Sequence, residues 1–119
     1  VDAPCSGLGT LRRNPDLKWR QSPVSVAELT VKQAAILAAA ARLVKPGGRL
    51  VYATCSLLEE ENEAIVAAFL AGHPGFAPIS AQDVLARQGI ALACGERLRL
   101  TPGTHDTDGF YAAVLERTA

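Results

Sequence analysis

The sequence contains no methionine, not even at its first position. It opens on Val1-Asp2-Ala3-Pro4-Cys5, which reads as the end of a strand, so the chain is expected to be an internal or C-terminal piece of a longer protein. Cysteine is sparse. Its odd count of three does not suit a disulfide framework and fits a reducing cytoplasm. A surplus of charge is also lacking: 12 Lys and Arg balance 12 Asp and Glu, so there is no overall basic footprint for a nucleic acid. An RNA partner would have to be attracted largely by other regions. No apolar run is long enough to span a bilayer, and no basic-then-apolar leader opens the chain, so no membrane partner is expected. There are no internal repeats or low-complexity tracts. What is present is apolar: 49% hydrophobic over 119 residues specifies one small globular domain with a modest core.

Residues 5–24 hold Gly7, Gly9, Asn14, Pro15 and Pro23, the composition of a long loop. Ser25-Val26-Ala27-Glu28 has capping-box spacing and predicts a helix over 26–44, with Leu29, Ile36, Leu37, Ala40, Leu43 and Val44 on one stripe. Lys45-Pro46-Gly47-Gly48 stops it, glycine supplying a left-handed turn. Arg49–Thr54 reads as a strand and Ser56-Leu57-Leu58-Glu59 as a second capping box, opening a helix over 57–71. A strand at 76–79, a short helix over 80–88 and two strands at 98–100 and 110–116 follow. The turn-rich TPGTHDTDG between the last two predicts an antiparallel pair. This order specifies an α/β domain: a partial Rossmann-like sheet with parallel strands, crossover helices and a closing antiparallel pair placed at an edge.

The strands ending at Asp2 and Thr54 should run parallel, joined by the 26–44 helix, with their carboxyl ends on one edge. Open α/β sheets bind ligands there. Cys5 and Cys55 would both emerge on loops at that edge. A lone cysteine at a strand end is usually a small buried hydrophobe, and a redox disulfide between the two lacks a CxxC motif. Two histidines and three scattered cysteines do not make a zinc site. Cys94 has no motif context and reads as structural.

The stretches DAPCSGLGTLRRNPDLKW, LVKPGGRLVYATCSLLEEENE and DGFYAAVL together resemble the Sun/Fmu (NOL/NOP/Sun) family of S-adenosylmethionine-dependent RNA cytosine-carbon-5 methyltransferases, over nearly the whole chain. The resemblance implies that Cys55, in TCS, is the nucleophile that adds to carbon 6 of cytosine. Cys5, in PCS, would help release the methylated RNA. Asp2 would hydrogen-bond the ring near its nitrogen, and Asp2 and Pro4 would border the cofactor S-adenosylmethionine. Ribosomal RNA is the implied substrate and transfer RNA the other option. Chemistry agrees on the main point, since thiolate addition activates a weakly nucleophilic carbon 5. A helix opening at Ser56 would favour the Cys55 thiolate, whereas Glu59, Glu60 and Glu61 in its first turn would oppose it.

Arg12, Arg13, Lys18 and Arg20, with Trp19, form an RNA-contacting loop or a solvated loop whose ring docks inward. Gln33, polar in an apolar stripe, is placed to bond the Cys5 loop or to face solvent. His105 and Asp106 read as surface turn residues. The glycine-rich cofactor loop is missing, because Gly7-Leu8-Gly9 lacks a third glycine and follows the wrong strand. The chain therefore reads as the C-terminal portion, over residues 1–119, of one methyltransferase domain. Alone it should bind the cofactor weakly, and it should self-associate through faces that the rest of the sheet would cover. The alternative is a binding module or remnant that keeps the fold without the chemistry.

Overall fold

The computed structural model describes residues 1–7, 23–56, 58–89, 97–100 and 109–118. Helix α1 spans Pro23–Ala41. It starts before the expected position because Pro23, with its fixed φ and no amide hydrogen to orphan, suits a first turn. Ser25 thus lies inside the helix and does not cap it. The buried positions are Gln33, Leu37 and Ala41, spaced four residues apart along one face. Ile36 and Leu43, expected on the buried stripe, are exposed; Leu43, beyond the helix end, is 87% accessible.

The chain leaves α1 through short turns and reaches Gly47, whose φ of +81° favours glycine. This turn is stapled to the far end of the molecule: Gly47 N donates to Arg117 O at 2.7 Å, and Arg117 N donates to Gly48 O at 3.0 Å. Strand β1 follows at Arg49–Thr54, with Leu50, Tyr52 and Thr54 buried in the period-two pattern of a strand. Beyond it lie a 3-10 turn at Glu59–Glu61, helix α2 at Glu63–Gly72, β2 at Phe76–Ile79, helix α3 at Ala81–Arg87, β3 at Arg97–Leu100 and β4 at Phe110–Arg117. Ser80 caps α3, accepting from Asp83 N at 3.3 Å.

The last strand is central, not at an edge as its place in the sequence suggested. β4 runs antiparallel to β1 on one side, and to both β2 and β3 on the other. β2 pairs with its second half (Ile79 opposite Val114) and β3 with its first half (Leu98 opposite Ala112). The closing antiparallel pair is thus present as expected. On the free side of β1, residues 1–3 pair in parallel: Ala53 N donates to Val1 O and Ala3 N to Ala53 O, both at 2.9 Å. One core joins Leu37 and Ala41 of α1, Leu50 and Tyr52 of β1, Ile65, Val66 and Phe69 of α2, and Tyr111, Ala113 and Leu115 of β4. Ala112 and Val114 point to the opposite face and are buried as well. Among the described residues no helix is long and apolar enough to cross a membrane.

Candidate active site

The parallel pairing of residues 1–3 with β1 delivers two chain segments to one edge of the sheet. Cys5 follows the first and Cys55 the second, and their Sγ atoms lie 3.2 Å apart. Both thiols are partly exposed and neither is in a disulfide. Burial, and then the contact with Cys55, pushes the Cys5 thiol from 9.0 up to about 12. Cys5 is therefore a neutral S–H at physiological pH, able to donate to its neighbour. Asp2 and Pro4 are exposed on the same edge. Arg12, Arg13, Lys18 and Arg20 lie outside the described residues, as do Trp19, Cys94, His105, Asp106 and Asp108.

Beneath the thiols is a buried polar cluster centred on Glu61. Its Oε1 accepts from Ser6 N at 2.7 Å and from Gln33 Nε2 at 3.2 Å. Its Oε2 accepts from Ser6 Oγ at 2.7 Å and, more closely, from Ser56 Oγ. Gln33 Nε2 also donates to Pro4 O at 2.9 Å, so Gln33 bonds the Cys5 loop and does not face solvent. Tyr52 OH donates to Glu61 O at 2.7 Å. Asn62 closes the other side, donating to Ser56 O at 2.8 Å and accepting from Thr54 Oγ1 at 2.5 Å. Glu61, Gln33 and Thr54 are fully buried, and the bonds of the Glu61 carboxyl, Thr54 Oγ1 and Gln33 Nε2 offset the loss of water, while Gln33 Oε1 is buried without a partner among the described residues.

The cluster corrects the expected helix opening. Ser56 Oγ does accept a backbone amide, but from Leu58 at 3.1 Å, and α2 begins only at Glu63. The helix-terminus argument for a Cys55 thiolate therefore loses its premise, whereas the Glu61 carboxyl stays close by, bonded to the serine after each cysteine. Glu59 and Glu60 face solvent while Glu61 turns inward. Sequence reasoning misses Glu61 because a run of three glutamates reads as a solvated face. The one available signal is its place five residues after the TCS serine.

A second polar group flanks β4. Tyr111 OH donates to Glu63 Oε2 at 2.6 Å, and Arg97 and Arg99 pair with the same carboxyl at 3.2 and 3.5 Å. A cavity of about 330 Å³, lined in part by Arg42, His73, Phe76 and Arg117, opens near the opposite ends of the strands and is no part of the thiol site.

Two thiols in contact at one edge of a partial Rossmann-like sheet, with one buried carboxyl bonded to the serine after each, define the site. Residues 1–116 match the family described as 16S rRNA methyltransferase RsmB/F, and the chain belongs to that family. It is 44% identical over 117 residues to the probable ribosomal RNA small subunit methyltransferase B of Synechocystis, covering 98% of this chain and 26% of that protein. It is likewise 44% identical over 120 residues to ribosomal RNA small subunit methyltransferase B of Thermus thermophilus, covering 98% and 28%. The structure of NSun6 from Pyrococcus horikoshii, solved with SFG, an analogue of S-adenosylmethionine, superposes with a TM-score of 0.76 at 29% identity, covering 100% of this chain and 29% of that one. The chain spans about a quarter of the length of the relatives it matches.

Proposed function

We propose that this chain carries the substrate-side chemistry of an enzyme that methylates carbon 5 of a cytosine in RNA, ribosomal RNA by the names of its relatives, in the cytoplasm. The supporting observation is the 3.2 Å contact between two thiols at the ligand-binding edge. Cys55 Sγ adds to carbon 6 of the base, forming the S–C6 bond and moving electron density to carbon 5. Asp2, exposed beside the thiols, bonds the ring near its nitrogen and balances the charge that develops there. S-adenosylmethionine, when bound, would supply the methyl group to carbon 5 and leave as S-adenosylhomocysteine, and Asp2 and Pro4, open on that edge, would border it. Cys5 then acts in release: the carbon 5 proton passes to solvent, and the electrons of that C–H bond restore the C5–C6 double bond. The S–C6 bond breaks, and Cys55 leaves as a thiolate that the neighbouring Cys5 S–H stabilises by donating to it. A thiol in contact with the nucleophile's sulfur is within reach of that step.

A binding module without chemistry has no use for paired thiols in this position. The test is bisulfite sequencing of ribosomal RNA from cells lacking the gene. A 5-methylcytosine should vanish, return with the wild-type gene and stay absent with Cys55→Ala. Restoration by Cys55→Ala, or a lost methyl group on another atom, would overturn the reading.

A further inference from the structure

We propose that Glu61 is the positioning residue of the thiol pair: its buried carboxyl sets the Cys5–Cys55 separation by holding the serine that follows each cysteine. The proposal rests on the thiol-pair reading above and concerns how the pair is kept in register. The two cysteines lie on irregular backbone, 50 residues apart in sequence, where nothing in a ladder of strand bonds fixes a side chain. The residues beside them are fixed. Ser6 Oγ and Ser56 Oγ both donate to Glu61 Oε2, and the two hydroxyl oxygens lie 3.4 Å apart, close to the separation of the sulfurs.

Glu61 is itself anchored to regular structure. Its carbonyl accepts from Tyr52 of β1, its carboxyl receives Gln33 of α1, and the neighbouring Asn62 is tied to Thr54 and to Ser56 O. The strand and the helix thus define where both loops sit. The chemistry requires a carboxyl, because four donors converge on two oxygens of one group: Ser6 N, Ser6 Oγ, Ser56 Oγ and Gln33 Nε2. A glutamine of the same shape has one acceptor oxygen and an amide whose hydrogens would face donors. The Glu61 carboxyl reaches the sulfurs only indirectly, through Ser6 and Ser56.

The test measures the pair without relying on methylation. Phenylarsine oxide takes two adjacent thiols, exchanging its oxygen for two arsenic–sulfur bonds and releasing water, with no oxidation. Its affinity for the full-length protein is measured by competition with dithiothreitol, and Cys5→Ser and Cys55→Ser assign the signal to the pair. Glu61→Gln is expected to weaken arsenical binding at least about tenfold while the protein still unfolds cooperatively. Methylation by the same variant should lose kcat at unchanged KM for RNA. A folded Glu61→Gln protein that holds the arsenical as tightly as wild type overturns the proposal. Failure of the wild-type protein to hold it overturns the thiol pair itself, a distinguishable result that removes this proposal as well. Should Glu61→Gln fail to fold, Ser6→Ala and Ser56→Ala decide, since each removes one of the two hydroxyl links. Both should weaken binding, and unchanged affinity in both overturns the proposal.

Discussion

Cys5 and Cys55 touch through their sulfur atoms at 3.2 Å, and the residue after each is bonded to the same buried carboxyl. The contact follows from topology. A parallel strand pair ends its two members side by side, so whatever each chain carries next is brought together. Contact alone does not divide the labour between the thiols. Burial and the neighbouring sulfur together favour the protonated form of Cys5.

Cys5 should therefore be slow to alkylate. With its thiol pushed up to about 12, almost none is thiolate at pH 8, and reaction runs through the thiolate. Iodoacetamide labelling followed by peptide mass spectrometry should find Cys5 modified at least about tenfold more slowly than a free cysteine peptide. The same shift makes a stability statement. A raised folded-state value means the folded protein binds the proton more tightly, so the contribution is whole below the ordinary 9.0 and is lost as pH climbs towards about 12. Cys5→Ala should flatten the fall in thermal stability between pH 9 and 10. Above that range buried Tyr52 and Tyr111, also shifted upward by burial, join in. Equal slopes for the two proteins between pH 9 and 10 would refute the assignment.

Much of this is legible in the residues. The strand–helix–strand order implies the parallel pairing that sets Asp2 beside Ala53, and the paired motifs put both cysteines on one edge. The central position of β4 is not legible in the same way, because strand order is a long-range property that turn chemistry does not report. A signal exists nonetheless: Tyr111-Ala112-Ala113-Val114-Leu115 is an unbroken apolar run, which suits a strand covered on both faces, and all five are buried in the structure. The start of α1 is ambiguous because two start signals, Pro23 and Ser25, overlap and the sequence does not rank them. Glu61 is hidden for a further reason. A 3-10 turn advances three residues per turn, so which of three consecutive glutamates faces inward depends on what the tertiary structure offers it.

Buried side chains give a graded test of the packing. Leu37 is fully buried between the helices and the sheet, so Leu37→Ala should cost about 2–5 kcal/mol. Tyr52→Phe keeps the ring and removes only the bond to Glu61 O, so it should cost about 1 kcal/mol. Urea unfolding of the full-length protein and the two variants measures both. A larger loss for Tyr52→Phe than for Leu37→Ala would show that the hydroxyl, and not the apolar contact, organises this region.

The two glycines of the KPGG turn should fail for different reasons. A Cβ at Gly47 would meet open space, but the φ there is +81°, so Gly47→Ala carries backbone strain of about 1–2 kcal/mol and Gly47→Asn less. At Gly48 a Cβ would sit 2.9 Å from the backbone oxygen of Lys45, a clash that asparagine does not relieve. Thermal melts should rank Gly47→Asn above Gly47→Ala, while Gly48→Asn should be no better than Gly48→Ala. Partial rescue by asparagine at position 48 would contradict the steric account.

The decisive separation of the two cysteines uses the full-length protein, labelled RNA and S-adenosylmethionine. Adding a thiolate to carbon 6 and breaking that bond are different steps, and each has its own residue in the proposed scheme. Without Cys55 no S–C6 bond can form, so Cys55→Ala should show neither methylation nor a covalent complex. Without Cys5 the addition and methyl transfer still proceed, but the bond to carbon 6 should not resolve, so RNA remains attached. A denaturing gel reads the difference directly: a slow band that survives denaturation is expected with Cys5→Ala and absent with Cys55→Ala. The double variant should match Cys55→Ala, because release has nothing to act on when no adduct has formed. The opposite pattern would exchange the roles of the two thiols. Full methylation by both single variants would end the covalent mechanism for this protein, whatever the distance between its sulfur atoms.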